Sequence, residues 1–347
     1  IFKGPKIVSK VVMWTVPLPV ILIVIFIIRG LTLPGAIEGL KFYLMPNFEM
    51  LLDTTVWREA YAQIFFSLSL AFGIMIAYAK YQSPEEAEIN SNARLISITN
   101  CLTSFIAGFA VFTVIGYLAV STGQSMEDLK IGGPGLTFIT YPTAIQKMPG
   151  ASIFGIFFFI MFLTLGIDSA FSLVEAAAAG LRDYVNSSKE KLSFWVCLLG
   201  LIGGLIFVTK AGYYWLDVVD RFAQNILLVL FGLLECIAVG WHISKDKRYI
   251  LDIGAGEVRE YANTYSKFPV GRWWDFCVSF LTPGVLIYLL IRSLVDSIKT
   301  PYEGYPNWAL WTGGWGLVVL VVLIAILLGR FAKPTEETRI EKASQQD

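Results

Sequence analysis

Four groups of polar residues interrupt stretches of this chain that are otherwise apolar. Gln63, Ser67 and Ser69 lie within YAQIFFSLSLAFGIMIAYAKY, residues 61–81. Ser97, Thr99, Asn100, Thr103 and Ser104 mark a second stretch. Asp168 and Ser169 sit in the middle of a third, and Asp217 and Asp220 open a fourth. Polar and ionisable groups are costly at membrane depth, so such residues are candidates for function. Gln63 and Ser67 are four apart, as are Asn100 and Ser104, so on helices each pair shares a face. Together they offer oxygens to a cation, or N–H and O–H donors to an anion. Asp168 beside Ser169 offers a carboxylate, a hydroxyl and nearby carbonyls, hard oxygen ligands for an alkali cation. The plainer alternative is that Ser, Thr and Asn only hydrogen-bond a neighbouring helix. That alternative serves the hydroxyls better than it serves Asp168, a carboxylate in mid-span. Phe65, Phe66 and Phe72 flank the Ser67–Gly73 stretch and are packing residues unless that stretch is a binding site.

These residues need long apolar elements to hold them, and the composition supplies such elements. The chain has 347 residues, 56% hydrophobic and 16% charged. Soluble domains carry about 25% charged residues, so this is an integral membrane protein. The 14% aromatic content suits interfacial belts of Trp and Tyr. The formal net charge is zero, so nothing provides a basic footprint for nucleic acid. Cys101, Cys197, Cys236 and Cys277 show no metal-ligand spacing and read as small core hydrophobes. His242 is the single histidine, which argues against a zinc site or histidine-based catalysis. The glycine-rich GGPGLTFITYP at 132–142 lacks the lysine of a phosphate-binding loop. No residue is assigned as catalytic, and the chain is not read as an enzyme.

Apolar runs predict eight membrane spans, at about 11–29, 61–81, 94–121, 152–181, 192–208, 214–243, 274–294 and 308–328. Pro17 and Pro19 should kink the first. The second is long enough to cross, but Ser67, Ser69 and Gly73 suit it to two half-helices with an unwound hinge facing a buried site. The connection at 122–149 is long enough to be a lid, and 330–347 is a charged tail. With the N-terminus inside, inner segments hold 18 of the 27 Lys and Arg residues and outer segments 9. That bias predicts both termini of this chain to be cytoplasmic and the lid extracellular.

Four motifs then carry a family resemblance. QIFFSLSLAFG (Gln63–Gly73), NCLTSFIAGF (Asn100–Phe109), GPGLTFITYP (Gly133–Pro142) and LTLGIDSAF (Leu163–Phe171) resemble the sodium- and chloride-dependent neurotransmitter:sodium symporters. The likeness runs in the family's order over nearly the whole chain. It implies an all-α integral membrane protein of the LeuT-type fold, with two inverted five-helix repeats and two further helices. Residues 1–347 would form a single transmembrane transporter domain comprising helices five to twelve, eight transmembrane helices, with the discontinuous helix at 61–81. The chain begins at Ile1 and is expected to be an N-terminally truncated fragment lacking helices one to four.

The resemblance also implies roles. Phe66, Ser67, Ser69, Phe72, Ser169 and Leu173 fall on substrate-pocket positions, with Phe66 closing over the substrate. Ser67 and Asn100 match ligands of a first sodium site, and Leu165 (by its carbonyl), Asp168 and Ser169 match ligands of a second. Gln63, Ser67, Asn100 and Ser104 match chloride ligands; chloride-independent relatives place Glu where Ser104 stands. Asp220 matches an outer gate, and Asp183 and Tyr81 match parts of an inner gate. The implied function is sodium-coupled, chloride-assisted symport of a small neutral amino acid or related amine, by alternating access across a plasma membrane. The implied partners are a small-molecule substrate and the lipid bilayer, with no nucleic acid and no indicated oligomeric state. The alternatives are a regulatory or sensor protein on the same scaffold, or an inactive fragment.

Overall fold

The computed structural model describes residues 5–83, 88–126, 128–129, 133–182, 184–185, 187–241, 254–299 and 301–331, and all regular structure among them is helical. Seven helices there are long and apolar enough to cross a membrane: Lys10–Leu31, Ile89–Thr122, Ala151–Arg182, Lys189–Val208, Gly212–Gly240, Trp273–Gly304 and Asn307–Arg330. The eighth expected span, 61–81, is not among them. Its residues fall into two pieces, Thr54–Ser67 and Ile74–Ala79, and neither piece alone reaches the roughly 20 residues that crossing needs. The first span divides after Thr15. A new helical segment, Pro17–Leu31, starts with proline where its missing N–H matters least.

Two stretches without strong periodicity contain helices that the sequence reading did not anticipate. Within 30–60, a helix runs Ala36–Leu44 and a 3-10 turn Phe48–Leu52. Within the 122–149 connection, a helix runs Tyr141–Lys147 after a π-turn at Leu136–Thr140. The four thiols also differ from expectation. Cys101 and Cys197 are exposed, while Cys236 and Cys277 are half-buried, because the apolar runs that hold them include outward faces.

The chain divides into two compact units. The first takes its described residues from 3–53 and 97–172. Its core joins Phe26, Leu33, Val114, Leu118, Tyr141, Ile145 and Phe158. Tyr141 stacks on Phe158 at 4.9 Å between centroids, and its hydroxyl donates to the Ala110 carbonyl at 3.2 Å. This is why the helix at Tyr141–Lys147 forms where the pattern was weak: one face of it is core. Arg29 donates to the Pro149 carbonyl and lies over the Phe154 ring, which closes the same unit at a helix end.

Close helix contact in this unit is made by glycine. A Cβ on Gly116 would lie 2.2 Å from the Gly35 carbonyl oxygen, and one on Gly39 would lie 2.0 Å from that of Phe112. Gly35 also has φ +88°, a left-handed conformation that starts the Ala36–Leu44 helix. Small residues that let backbones touch are a usual means of helix association in membranes. Beside them Tyr43 stacks on Phe112 at 4.6 Å.

The second unit takes its described residues from 54–96 and 173–347. One cluster joins Phe65, Leu228, Val229, Leu286 and Leu289; another joins Val218, Phe222, Ile226 and Leu310. Arg58 pairs with Asp296 at 3.0 Å and fixes the start of the Thr54–Ser67 helix. A polar clamp joins the start of the Ile89–Thr122 helix to the segment 263–270. Asn90 Nδ2 donates to Asn263 Oδ1 at 2.8 Å, which also accepts the Val270 N–H at 2.8 Å. The Asn90 N–H donates to Ser266 Oγ at 2.8 Å. Glu88 accepts the Lys267 N–H and the Ser91 hydroxyl, and these donors hold its carboxyl below the usual range.

The glycine contact gives a measurable expectation. Gly116→Ala should lower stability by about 2–3 kcal/mol, since backbone rather than a flexible side chain must move. Gly180→Ala, where a Cβ meets nothing within 4 Å, should be neutral or slightly stabilising. Thermal melting of the two variants in detergent checks the contrast, and equal melting temperatures would refute it.

Candidate functional site

The break in the Thr54–Ser67 helix begins with its own residues. Ser67 and Ser69 carry hydroxyls that compete for backbone groups, and Gly73 tolerates conformations a helix excludes. The chain leaves the helix by a wide turn, with Leu70 N–H donating to the Phe65 carbonyl at 2.9 Å. Three alternate residues then take left-handed backbone: Ser69 at φ +53°, Ala71 at +63° and Gly73 at +71°. For Ser and Ala that conformation costs about 1–2 kcal/mol each. Gly73 then opens Ile74–Ala79, accepting the Ala77 N–H at 2.9 Å. Phe66 and Phe72 meet edge to face across the break at 6.3 Å. Phe66 is 49% exposed and Phe72 half-buried, so of the two expected pocket aromatics Phe66 is the more open.

Gln63 and Ser67 both lie on the Thr54–Ser67 helix and, four apart, on one face of it; Gln63 is exposed and Ser67 half-buried. Asn100 and Ser104 share a face of the Ile89–Thr122 helix in the same way, Asn100 half-buried and Ser104 exposed. The first pair belongs to the second unit and the second pair to the first.

Leu165, Asp168 and Ser169 stand at i, i+3 and i+4 on the Ala151–Arg182 helix and so present one face. Asp168 is half-buried; Leu165 and Ser169 are exposed. Asp168 is not alone. Oδ1 accepts the Thr15 hydroxyl at 2.7 Å. That hydroxyl also lies 3.2 Å from the Val11 carbonyl, and with a single hydrogen to give, the shorter contact to the carboxylate prevails. Thr15 escaped the sequence reading. Its signal was its place, the last helical residue before the Val16–Pro17 break. Carboxylate, hydroxyls and helical carbonyls form an all-oxygen donor set, which suits sodium. Leu173 lies on the same helix and is exposed.

The two aspartates grouped by sequence separate in the structure. Asp217 accepts the hydroxyls of Tyr302 at 3.1 Å and Tyr305 at 2.7 Å, so both its oxygens are engaged. Desolvation raises the Tyr305 hydroxyl's pKa, and the bond to Asp217 raises it further. Asp220 is exposed and accepts from Gln224 at 2.6 Å. Asp220 is therefore the more available of the two as a gate acid.

Asp183 lies outside the described residues, as do His242 and positions 332–347 of the tail. Tyr81 is described and has partners that no motif pointed to. Its hydroxyl donates to Glu175 Oε1 at 2.6 Å. Lys189 Nζ reaches the same oxygen at 2.6 Å and lies 5.1 Å from the Tyr81 ring centroid. The Glu175 and Lys189 side chains are only 7% and 15% exposed. Glu175 was visible in the sequence as a charge at the end of an apolar run, but its partner lies 14 positions away across a turn. No helical spacing could have paired them.

With helix as the only regular structure among the described residues, seven helices of membrane-spanning length, and a further segment broken at the hydroxyl-bearing Ser67 and Ser69, this is a multi-pass membrane protein. The chain belongs to the sodium:neurotransmitter symporter family, whose model matches residues 1–333. It is 38% identical over 291 residues to an uncharacterised sodium-dependent transporter of Methanocaldococcus jannaschii, covering 84% of this chain and 57% of that protein. It is 34% identical over 335 residues to the human sodium- and chloride-dependent neutral and basic amino acid transporter B(0+), covering 93% and 50%. It is 32% identical over 320 residues to sodium- and chloride-dependent glycine transporter 1 of Xenopus laevis, covering 90% and 49%. The chain thus spans about half the length of the curated relatives it matches.

The Tyr81–Glu175–Lys189 group tests the site's energetics. Lys189→Met leaves Glu175 buried without its cation and should lower stability by about 3–5 kcal/mol. Adding Glu175→Gln should restore most of it. Melting of the single and double variants measures this, and a double variant no better than the single would show that the two charges do not depend on each other.

Proposed function

We propose that the whole protein containing this chain is a sodium-coupled symporter, chloride-assisted, for a small neutral amino acid or related amine. The observation that carries the reading is the interrupted helix, with left-handed backbone at Ser69, Ala71 and Gly73 between Ser67 and Ile74, in a member of a symporter family. Half-helices at membrane depth are how transporters expose backbone groups to a solute. The relatives' names support sodium and chloride use and amino acid substrates.

In this reading the chain supplies helices five to twelve of a LeuT-type fold as a single transporter domain. It sits in the plasma membrane with both its termini cytoplasmic and the 122–149 lid outside. Phe66, Ser67, Ser69, Phe72, Ser169 and Leu173 line the substrate pocket. Ser67 with Asn100 holds one sodium, and the Leu165 carbonyl, Asp168 and Ser169 hold the other, with Thr15 orienting the Asp168 carboxylate through its 2.7 Å hydrogen bond. Gln63, Ser67, Asn100 and Ser104 hold chloride, whose charge offsets that of the cations in a dry pocket. Asp220 serves the outer gate. Tyr81 and Asp183 serve the inner one, where Glu175 and Lys189 brace Tyr81. The pocket residues named here are Phe, Ser and Leu, which favours a neutral solute over a charged one.

Uptake by the whole protein should require sodium. Asp168→Asn should raise the sodium concentration for half-maximal uptake by about tenfold or more, through loss of a carboxylate ligand. Ser104→Glu should make uptake less dependent on chloride by placing a fixed negative charge there. Radiolabelled amino acid uptake into proteoliposomes, with sodium and chloride varied independently, checks all three. Sodium-independent uptake would overturn the proposal.

A further inference from the structure

The first piece of the interrupted helix, Thr54–Ser67, packs against two other elements within the second unit. One is a wide π-turn, Ala223–Leu228, set in the helix Gly212–Gly240. The other is the helix Thr282–Lys299. Apolar residues make most of the contact, with Phe65 in one cluster with Leu228, Val229, Leu286 and Leu289. Where the three elements meet, a cavity of about 10 Å³ remains, bordered by Arg58, Phe65, Asn225, Leu286 and Ser293 among others. That is about the room a single water needs, and too little for an organic solute.

Two of the bordering side chains are polar, deeply buried and short of a partner. Asn225 is 9% exposed and Ser293 2%. Asn225 Nδ2 donates to the Arg221 carbonyl at 3.2 Å, one turn back on its own helix, and this leaves Oδ1. Neither Asn225 Oδ1 nor Ser293 Oγ has a hydrogen-bond partner among the described residues. Both atoms are nonetheless open to a water-sized body, unlike the sealed Arg29 Nε and Ser193 Oγ. In side chains this deeply buried, the opening is the cavity itself. A buried amide or hydroxyl left unpaired is costly, and a buried water typically meets about two to four such groups.

We propose that this junction binds one water, which donates to Asn225 Oδ1, accepts from the Ser293 hydroxyl, and so joins the helices Gly212–Gly240 and Thr282–Lys299 beside Phe65. Charge decides against an ion. Arg58 is already matched by Glu59 and Asp296, at 3.0 Å each, so no free positive charge remains to hold an anion. The guanidinium at the cavity's border disfavours sodium, and one amide oxygen with one hydroxyl falls short of the ligands a hard cation takes. A water needs only the neutral groups that are there, and bridges them nearly as well as a direct bond would. The site uses none of the residues assigned above to solute, sodium or chloride, so it stands apart from the transport reading.

Cryo-electron microscopy of the whole protein in lipid nanodiscs, at a resolution that shows ordered waters, tests this directly. A peak should stand within hydrogen-bond distance of both Asn225 Oδ1 and Ser293 Oγ, and it should not strengthen when chloride is exchanged for bromide. Melting supplies the second measurement. Ser293→Ala removes one of the water's partners and Asn225→Leu the other, so each should lower the melting temperature by about 2–4 °C. The double variant should melt little below the worse single one, because the water couples two groups that do not bond each other. A map without the peak overturns the proposal, and so does a peak that strengthens in bromide, which marks an anion. Losses that simply add in the double variant overturn it as well. So does a Ser293→Ala variant that melts no lower than the unsubstituted protein, since removing an unpaired hydroxyl costs nothing.

Discussion

A helix that breaks off among apolar residues leaves backbone N–H and C=O groups with no helical partner and little water, and the chain around residues 67–73 answers to that constraint. The hinge meets it partly from within. The Phe65 carbonyl takes the Leu70 N–H, and the Phe66 carbonyl takes the Ser69 N–H at 3.0 Å. It meets it partly from outside, where Ala71 and Phe72 pack against the cluster of Phe65, Leu228 and Leu286. Two non-glycine residues remain left-handed at a cost of about 1–2 kcal/mol each, so the fold preserves the break rather than merely tolerating it. A chain under no demand at this point would have kept the helix.

The same logic recurs at three other acids set among apolar residues. Asp168 has the Thr15 hydroxyl, Asp217 has two tyrosine hydroxyls, and Glu175 has both Tyr81 and Lys189. In each case the acid is held at a helix by a donor from a different element. Asp220 contrasts with them. It is exposed and accepts from Gln224 one turn along its own helix, a local contact that leaves it open toward other groups. An acid that is fully engaged positions structure, whereas one that is partly open can change partners, as a gate requires.

Much of this was legible in the residues. Long apolar runs specify helices, and Ser67, Ser69 and Gly73 in the middle of one specify a break, because hydroxyls and glycine favour the alternatives to helical backbone. The i, i+4 spacing of Gln63 with Ser67, and of Asn100 with Ser104, translates directly into shared faces. What was not legible depends on contacts between distant segments. Thr15 and Asp168 are 153 positions apart, and Tyr81 and Glu175 are 94. Periodicity describes a helix's own faces but not which helix each face will meet. The helix Tyr141–Lys147 escaped for a related reason. It is short, so its apolar face could be recognised only from the core of Phe26, Val114 and Phe158 that it completes.

Cysteine shows the limit from the other side. In a soluble domain an apolar run marks the interior, and a thiol within it is buried. In a membrane the outward face of a helix is apolar as well, so the run says nothing about direction. Cys101 and Cys197 are exposed for that reason, while Cys236, on the face that Gly232 and Glu235 share, is half-buried against the hinge cluster. Hydropathy thus locates the spans, but polarity within them locates the interior. A residue such as Glu235, polar where every neighbour is apolar, identifies an inward face more surely than the apolar residues around it do. Among apolar residues a polar group persists only where another polar group meets it, as the Thr15 hydroxyl meets Asp168.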